Sequence, residues 1–147
     1  MENIELLKNV FMFRDLTTME LLQFSKVLKH RKVKSGETIV KSGEKGKEMF
    51  IVKSGSVNVY AEDPSTHKQR LIAILGKGDH FGEIALFKEG ERIATVTARD
   101  NTELLVLSRE DLERILSRDK DIAIKIYRAM IDSLAERLKK TNILALI

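Results

Sequence analysis

The apolar positions change their period twice along the chain. At the start they recur at helical spacing: Ile4, Leu6, Leu7 and Val10 open one face, and Phe11 and Phe13 follow in what reads as a tight connection. Thr17-Thr18-Met19-Glu20 has the form of a capping box, with Thr17 as N-cap and Glu20 three residues on. From it Leu21, Leu22, Phe24 and Leu28 continue the helical face. Residues 1–30 are therefore predicted to be helical.

From Val33 to about Leu107 the pattern becomes short strands broken by glycine. Thr38-Ile39-Val40 lies between Ser35-Gly36 and Ser42-Gly43, and Met49-Phe50-Ile51-Val52 ends at Ser54-Gly55. Ser56-Val57-Asn58-Val59-Tyr60 alternates, residues 61–69 read as a hairpin loop, and Leu71 to Leu75 resumes the strand before Gly76 and Gly78. Ala94, Val96 and Ala98 alternate with polar neighbours, and Leu104 to Leu107 closes the series. Seven or so short strands at this density of turn signals predict a mainly β domain, a barrel or jelly roll.

Helical spacing then returns. Ser108-Arg109-Glu110-Asp111 is a second capping signal leading to Leu112, Ile115 and Leu116. A longer helix is predicted from about Asp121, with Ile122, Ile126, Met130, Leu134 and Leu138 on one stripe. Ile124, Tyr127 and Ile131 broaden that stripe beyond one packing surface, and Ile143 to Ile147 is an apolar end without evident cover. The expected architecture is helix, β-roll, helix: one domain over residues 1–147, with N-terminal helices 1–30, a roll 33–107 and C-terminal helices 109–145.

Composition narrows the chemistry. The 147 residues contain no cysteine, which excludes disulfides, thiolate metal sites and a cysteine nucleophile. No apolar run is long enough for a membrane span and the first residues lack the basic start of a secretory signal, so the cytoplasm is the expected compartment. Lys plus Arg number 26 against 22 Asp plus Glu, a net charge of +4. That excess is scattered; only Lys29-His30-Arg31-Lys32-Val33-Lys34 is dense, and it reads as the solvated end of a helix rather than a nucleic-acid patch. His30, His67 and His80 lie in unrelated segments, so no metal site is expected, and no serine has the neighbours of a nucleophile.

The stretch from Gly78 to Val96 (GDHFGEIALFKEGERIATV) interrupts the strands with a short helical turn and a loop. Gly82 removes a side chain that would block close approach of a ligand. A turn beginning at Glu83 is expected to point free amides, those of Ala85 and Leu86, at an anion. Arg92 offers a planar fork for two phosphate oxygens, and Glu83 is an acceptor suited to a sugar hydroxyl. Together these residues suit a sugar phosphate better than a nucleic-acid backbone.

This segment resembles the phosphate-binding cassette of the cyclic nucleotide-binding domain family, whose pattern runs F-G-E-[LI]-A-L, a short loop, then R-x-A-T-V. Gly36-Glu37-Thr38-Ile39, Gly43, Met49-Phe50-Ile51-Val52 and Gly55-Ser56-Val57 also resemble that family's glycine-punctuated first half, so the similarity covers nearly the whole chain. The resemblance implies an eight-stranded β-roll (a double-stranded β-helix) holding cAMP or cGMP, with a hinged C-terminal helix as lid or output. It assigns Arg92, Gly82, Ala85, Leu86, Ile93 and Ala94 to the cyclic phosphate and Glu83 to the ribose 2′-OH. Val59 and Ile72 match apolar positions that wall the base, and Arg137 or Leu138 the region that reaches the purine. Many members carry Ser or Thr after the arginine; this chain has Ile93, which favours cAMP over cGMP.

The expected function is a regulatory, non-catalytic sensor with no cofactor other than its ligand. Its expected partners are the nucleotide and a second copy, paired through the C-terminal helix; no DNA-binding element is expected, because no helix-turn-helix follows the long helix. Two alternatives stay open: a domain of the same fold that binds no nucleotide and serves as a scaffold, or the sensor fragment of a longer transcription regulator, channel or kinase regulator.

Overall fold

The computed structural model describes residues 2–141. The expected end of the C-terminal helix at 145 and the apolar stretch 143–147 lie outside them. Contacts divide the chain into two units, one containing the residues up to Lys26 and those from Glu113, the other Val27–Leu112.

The helical unit begins with α1 (Glu2–Lys8), a 3-10 turn (Phe11–Phe13) and α2 (Thr18–Val27). The capping box forms at α2: the Thr17 amide donates to the Glu20 carboxylate at 2.9 Å, and the Glu20 amide to the Thr17 hydroxyl at 3.2 Å. Phe13 and Phe24 meet with ring centroids 4.7 Å apart. After α3 (Arg109–Arg118), Asp119 caps the long α4 (Lys120–Thr141) by accepting from the Ile122 amide at 3.1 Å. Arg14 pairs with Asp132 at 2.6 Å and Lys125 with Glu20 at 2.7 Å.

The single stripe expected on α4 is two. Ile122, Ile126 and Met130 are buried, whereas Leu134 and Leu138 are exposed together with Ile124, Tyr127 and Ile131. The reason is geometric. Each four-residue step overshoots a turn by about 40°, so Leu138 lies about 160° round from Ile122. The spacing 124, 127, 131, 134, 138 is a heptad repeat and drifts by only about 20° per seven residues.

The strand unit holds eight strands in two four-stranded antiparallel sheets. One has the order β1-β8-β3-β6 and the other β2-β7-β4-β5. In sequence they are β1 (Lys29–Val33), β2 (Thr38–Val40), β3 (Glu48–Ser54), β4 (Ser56–Glu62), β5 (Gln69–Gly76), β6 (His80–Phe81), β7 (Thr95–Ala98) and β8 (Thr102–Ser108). Val33, Phe50, Val52, Phe81, Leu104 and Val106 of the first sheet meet Ile39, Val57, Val96 and Ala98 of the second in one core. Phe50 and Phe81 stack at 5.0 Å. Met49, Ile51, Leu105 and Leu107 on the opposite face of β3 and β8 are buried as well. That is why these two strands read as unbroken apolar runs instead of alternating.

The basic segment 29–34 is not a helix end. Its first five residues are β1, an edge strand paired, among the described residues, with β8 alone in the register Lys29↔Val106 to Val33↔Thr102. Val33 alone turns into the core, while Lys29, His30 and Lys32 face solvent. Charged side chains on an edge keep its unpaired backbone from recruiting another strand. With one apolar residue in five, the segment carries no alternation to read.

Candidate anion-binding site

The cassette starts where β6 ends. Gly82 adopts φ +84°, which an L side chain resists, and a 3-10 turn (Glu83–Leu86) follows. The Ala85 amide donates to the Gly82 carbonyl at 3.2 Å. This corrects the expectation that the Ala85 amide is free for an anion. A 3-10 turn closes its bonds one residue earlier than an α-helix and leaves fewer amides open at its start. The Leu86 side chain is buried.

Beyond the turn the chain returns through Glu91, which bridges to Lys45, and reaches Arg92. The strand expected from the alternation of Ala94, Val96 and Ala98 begins at Thr95. The Arg92 backbone is fixed on both sides: its amide donates to the Glu44 carbonyl at 2.7 Å, and its carbonyl accepts from the Gly43 amide at 2.8 Å.

The Arg92 side chain is half-buried in a slot made of backbone. Nη2 donates to the Glu48 carbonyl at 2.9 Å and Nη1 reaches the Gly82 carbonyl at 3.5 Å. The guanidinium carbon stands 5.8 Å from the centre of the Phe50 ring. Gly82 therefore does more than clear space for a ligand, since a Cβ there would lie 2.8 Å from Arg92 Nη1 and 3.0 Å from the Glu48 carbonyl. The other wall is the buried Gly46, where a Cβ would overlap the guanidinium.

Sequence reasoning missed Gly46 and Glu48. The signal for Gly46 was its place in Glu44-Lys45-Gly46-Lys47, but nothing local ties it to a residue 46 positions away.

The charge of this slot is poorly neutralised. Burial pushes the Arg92 guanidinium down from its ordinary value; the Glu48 carboxylate opposes this and the neighbouring Arg109 cation adds to it. Among the described residues its hydrogen bonds go to neutral carbonyls, and it forms no ion pair. A half-buried cation with a second cation nearby is a place where an anion gains on binding.

Of the residues expected at the site, Gly82, Glu83, Ala85 and Leu86 share one turn, and Arg92 is hydrogen-bonded to its first residue. Ile93 points outward, 89% exposed, and Ala94 is half-buried ahead of β7. Val59 pairs with Val96 of β7 on one side and Ala73 of β5 on the other. Ile72 is the extra residue of a bulge, because Val59 pairs with Ala73 and Tyr60 with Leu71. It is 57% exposed. The sheet thus joins the end of the cassette to the apolar pair. Arg137 and Leu138 belong to α4, in the helical unit.

The profile of the family described as Cyclic nucleotide-binding domain matches residues 30–119. The cGMP-dependent protein kinase, isozyme 2 forms cD5/T2, of Drosophila melanogaster is 34% identical over 123 residues, 82% of this chain and 13% of that protein. Across five such relatives the chain spans between 11% and 29% of their length. Among solved structures, the N-terminal domain of a transcriptional regulator from Streptomyces coelicolor A3(2) aligns with a TM-score of 0.81 at 28% identity, covering 93% of this chain and 94% of that one. The catabolite activator protein of Thermus thermophilus aligns at 0.78 and 31% identity, covering 92% and 62%. With the roll, the cassette turn and the arginine slot in place, the chain belongs to the cyclic nucleotide-binding domain family.

Proposed function

We propose that this chain is a non-catalytic sensor that binds a cyclic nucleotide, cAMP in preference to cGMP, and transmits occupancy through its C-terminal helix. One observation carries the reading: Arg92 is half-buried in a slot lined by Gly46, Gly82 and the Glu48 carbonyl, a cation fixed in place. A cyclic phosphate supplies the missing charge, with Glu83 at the adjacent turn residue accepting from the ribose. Val59 and Ile72 line the base, and Arg137 or Leu138 is assigned to the purine. Ile93 supports the cAMP preference, since an outward isoleucine brings no hydroxyl to the site.

The module works as a homodimer. The exposed seam of α4 places isoleucine at two a positions (Ile124, Ile131) and leucine at a d position (Leu134), a pattern that suits a two-stranded coiled coil. The occupant of that seam is the same helix of a second copy, because each heptad position there complements itself.

Calorimetric titration with cAMP and cGMP tests the ligand. Binding of cAMP at least tenfold tighter than cGMP supports the full reading. Tighter cGMP binding overturns the preference, and no heat with either at millimolar nucleotide overturns the sensor in favour of a scaffold. Sedimentation across a hundredfold concentration range tests the dimer; a monomer throughout, with and without nucleotide, overturns it.

A further inference from the structure

The cassette turn has two ends, and only one belongs to the site described. At its other end stands Arg109, the first residue of α3, which that site has only as a neighbouring cation. Its Nε donates to the Ala85 carbonyl at 2.7 Å and its Nη2 to the Gly46 carbonyl at 3.0 Å; the same Nη2 reaches the Lys88 carbonyl at 3.5 Å. Its own amide donates to the Lys47 carbonyl at 2.8 Å. The side chain is only 14% exposed, and Nη1 lies 3.8 Å from the exposed Glu89 carboxylate.

Two physical consequences follow from that geometry. A short 3-10 turn leaves its last carbonyls without internal partners, and Arg109 satisfies the Ala85 carbonyl with a cation at the end where the peptide dipoles are negative. The same fork holds Gly46. The turn begins at Gly82 and Arg92 lies between Gly82 and Gly46, so one guanidinium cross-links the two segments that form the walls of the Arg92 slot.

We infer that Arg109 is a positioning residue that holds the Arg92 slot at its working width and ties the cassette turn to the first turn of α3. It does not touch the ligand. It sets where Gly46 and the turn stand, and any shift of the turn when the slot is filled is passed directly to the start of α3. A lysine cannot replace it, since a single ammonium lacks the planar fork that spans Ala85 and Gly46. The inference rests on Arg92 being the anion grip, so its test carries one arm that needs no nucleotide.

That arm is amide hydrogen exchange of the nucleotide-free protein in wild type, Arg109→Lys and Arg109→Met. The expected result is exchange at residues 84–90 about tenfold faster in both variants, with β3 and β8 unchanged. Exchange at 84–90 equal to wild type in Arg109→Lys overturns the inference, and so does acceleration spread evenly over the roll, which marks a merely structural residue. The second arm is cAMP affinity, expected to fall about tenfold in Arg109→Lys, the change for one lost charge-assisted hydrogen bond. Wild-type affinity in that variant overturns the inference. If wild type binds neither nucleotide, the sensor reading fails while the exchange arm still decides the role of Arg109.

Discussion

The molecule presents positive charge in two contrasting ways. Residues 29–34 put five basic side chains into six positions, yet β1 leaves Lys29, His30 and Lys32 in solvent on a sheet edge. Arg92 is a single arginine without a basic neighbour in sequence, and it is half-buried between Gly46 and Gly82. Solvated charges are screened within roughly 10 Å at ordinary salt. A charge whose hydration is replaced by fixed carbonyls keeps its field. What sets Arg92 apart is the geometry that holds it, not the density of like charge around it.

The sharpest way to break this contrast is Arg92→Leu. Removing the charge-assisted phosphate contacts costs about 3 kcal/mol, so cAMP affinity is expected to fall by about a hundredfold in calorimetric titration. Affinity equal to wild type would place the site elsewhere.

Gly46→Ala sharpens the contrast without touching any charge. The new Cβ meets the far end of the Arg92 side chain, which can swing away, so thermal stability is expected to change by less than about 1 kcal/mol. Binding is expected to weaken about tenfold, because the displaced guanidinium no longer stands where the slot set it. A stability loss with intact affinity would show that Gly46 serves packing alone.

A held charge should also leave a mark in pH, and the Glu20–Lys125 pair is the cleanest case. The hydrogen bond from Lys125 holds the Glu20 carboxyl below the usual carboxylate range, aided by the Thr17 amide. A carboxyl lowered on folding stabilises the fold fully above that range and loses the contribution as pH falls through it. Denaturant melts of wild type and Glu20→Gln should therefore differ by about 0.5–1 kcal/mol at neutral pH and converge in acid. A constant difference down to strongly acid pH would mean that the carboxylate charge contributes nothing.

The smallest effect is expected from the dense cluster. Lys32→Gln with Lys34→Gln should change stability by under about 0.5 kcal/mol and cAMP affinity by less than twofold. A larger loss of affinity would show that the field of β1 steers the nucleotide after all.

Much of the molecule was readable along the chain wherever neighbours in sequence do the work. The Thr17–Glu20 box forms as its spacing requires, and the apolar run of residues 49–52 became a central strand buried on both faces. The glycine punctuation of residues 36–55 sits at the expected turns. Gly82, Glu83 and Arg92 could be singled out because a turn start, an acceptor and a fork suggest a sugar phosphate by chemistry alone. Where an element is defined by a distant partner, the reading failed. β1 exists because β8 offers an edge, and the stripe on α4 divided because a four-residue step cannot stay on one face for four turns.

By itself, then, the sequence determined which residue types were available: the strands and turns of a roll, an arginine and a glutamate nine positions apart, and a long helix with more apolar residues than one packing face holds. Tertiary structure decided what surrounds them. It set Gly46 against Arg92 across 46 residues and brought Arg109 to the back of the cassette turn across 24. It also spent the Ala85 amide inside the turn. The physical reason is one of range. Capping, alternation and turn chemistry act over a few residues, whereas the desolvation and crowding that give Arg92 its character are imposed by segments that meet only when the roll closes.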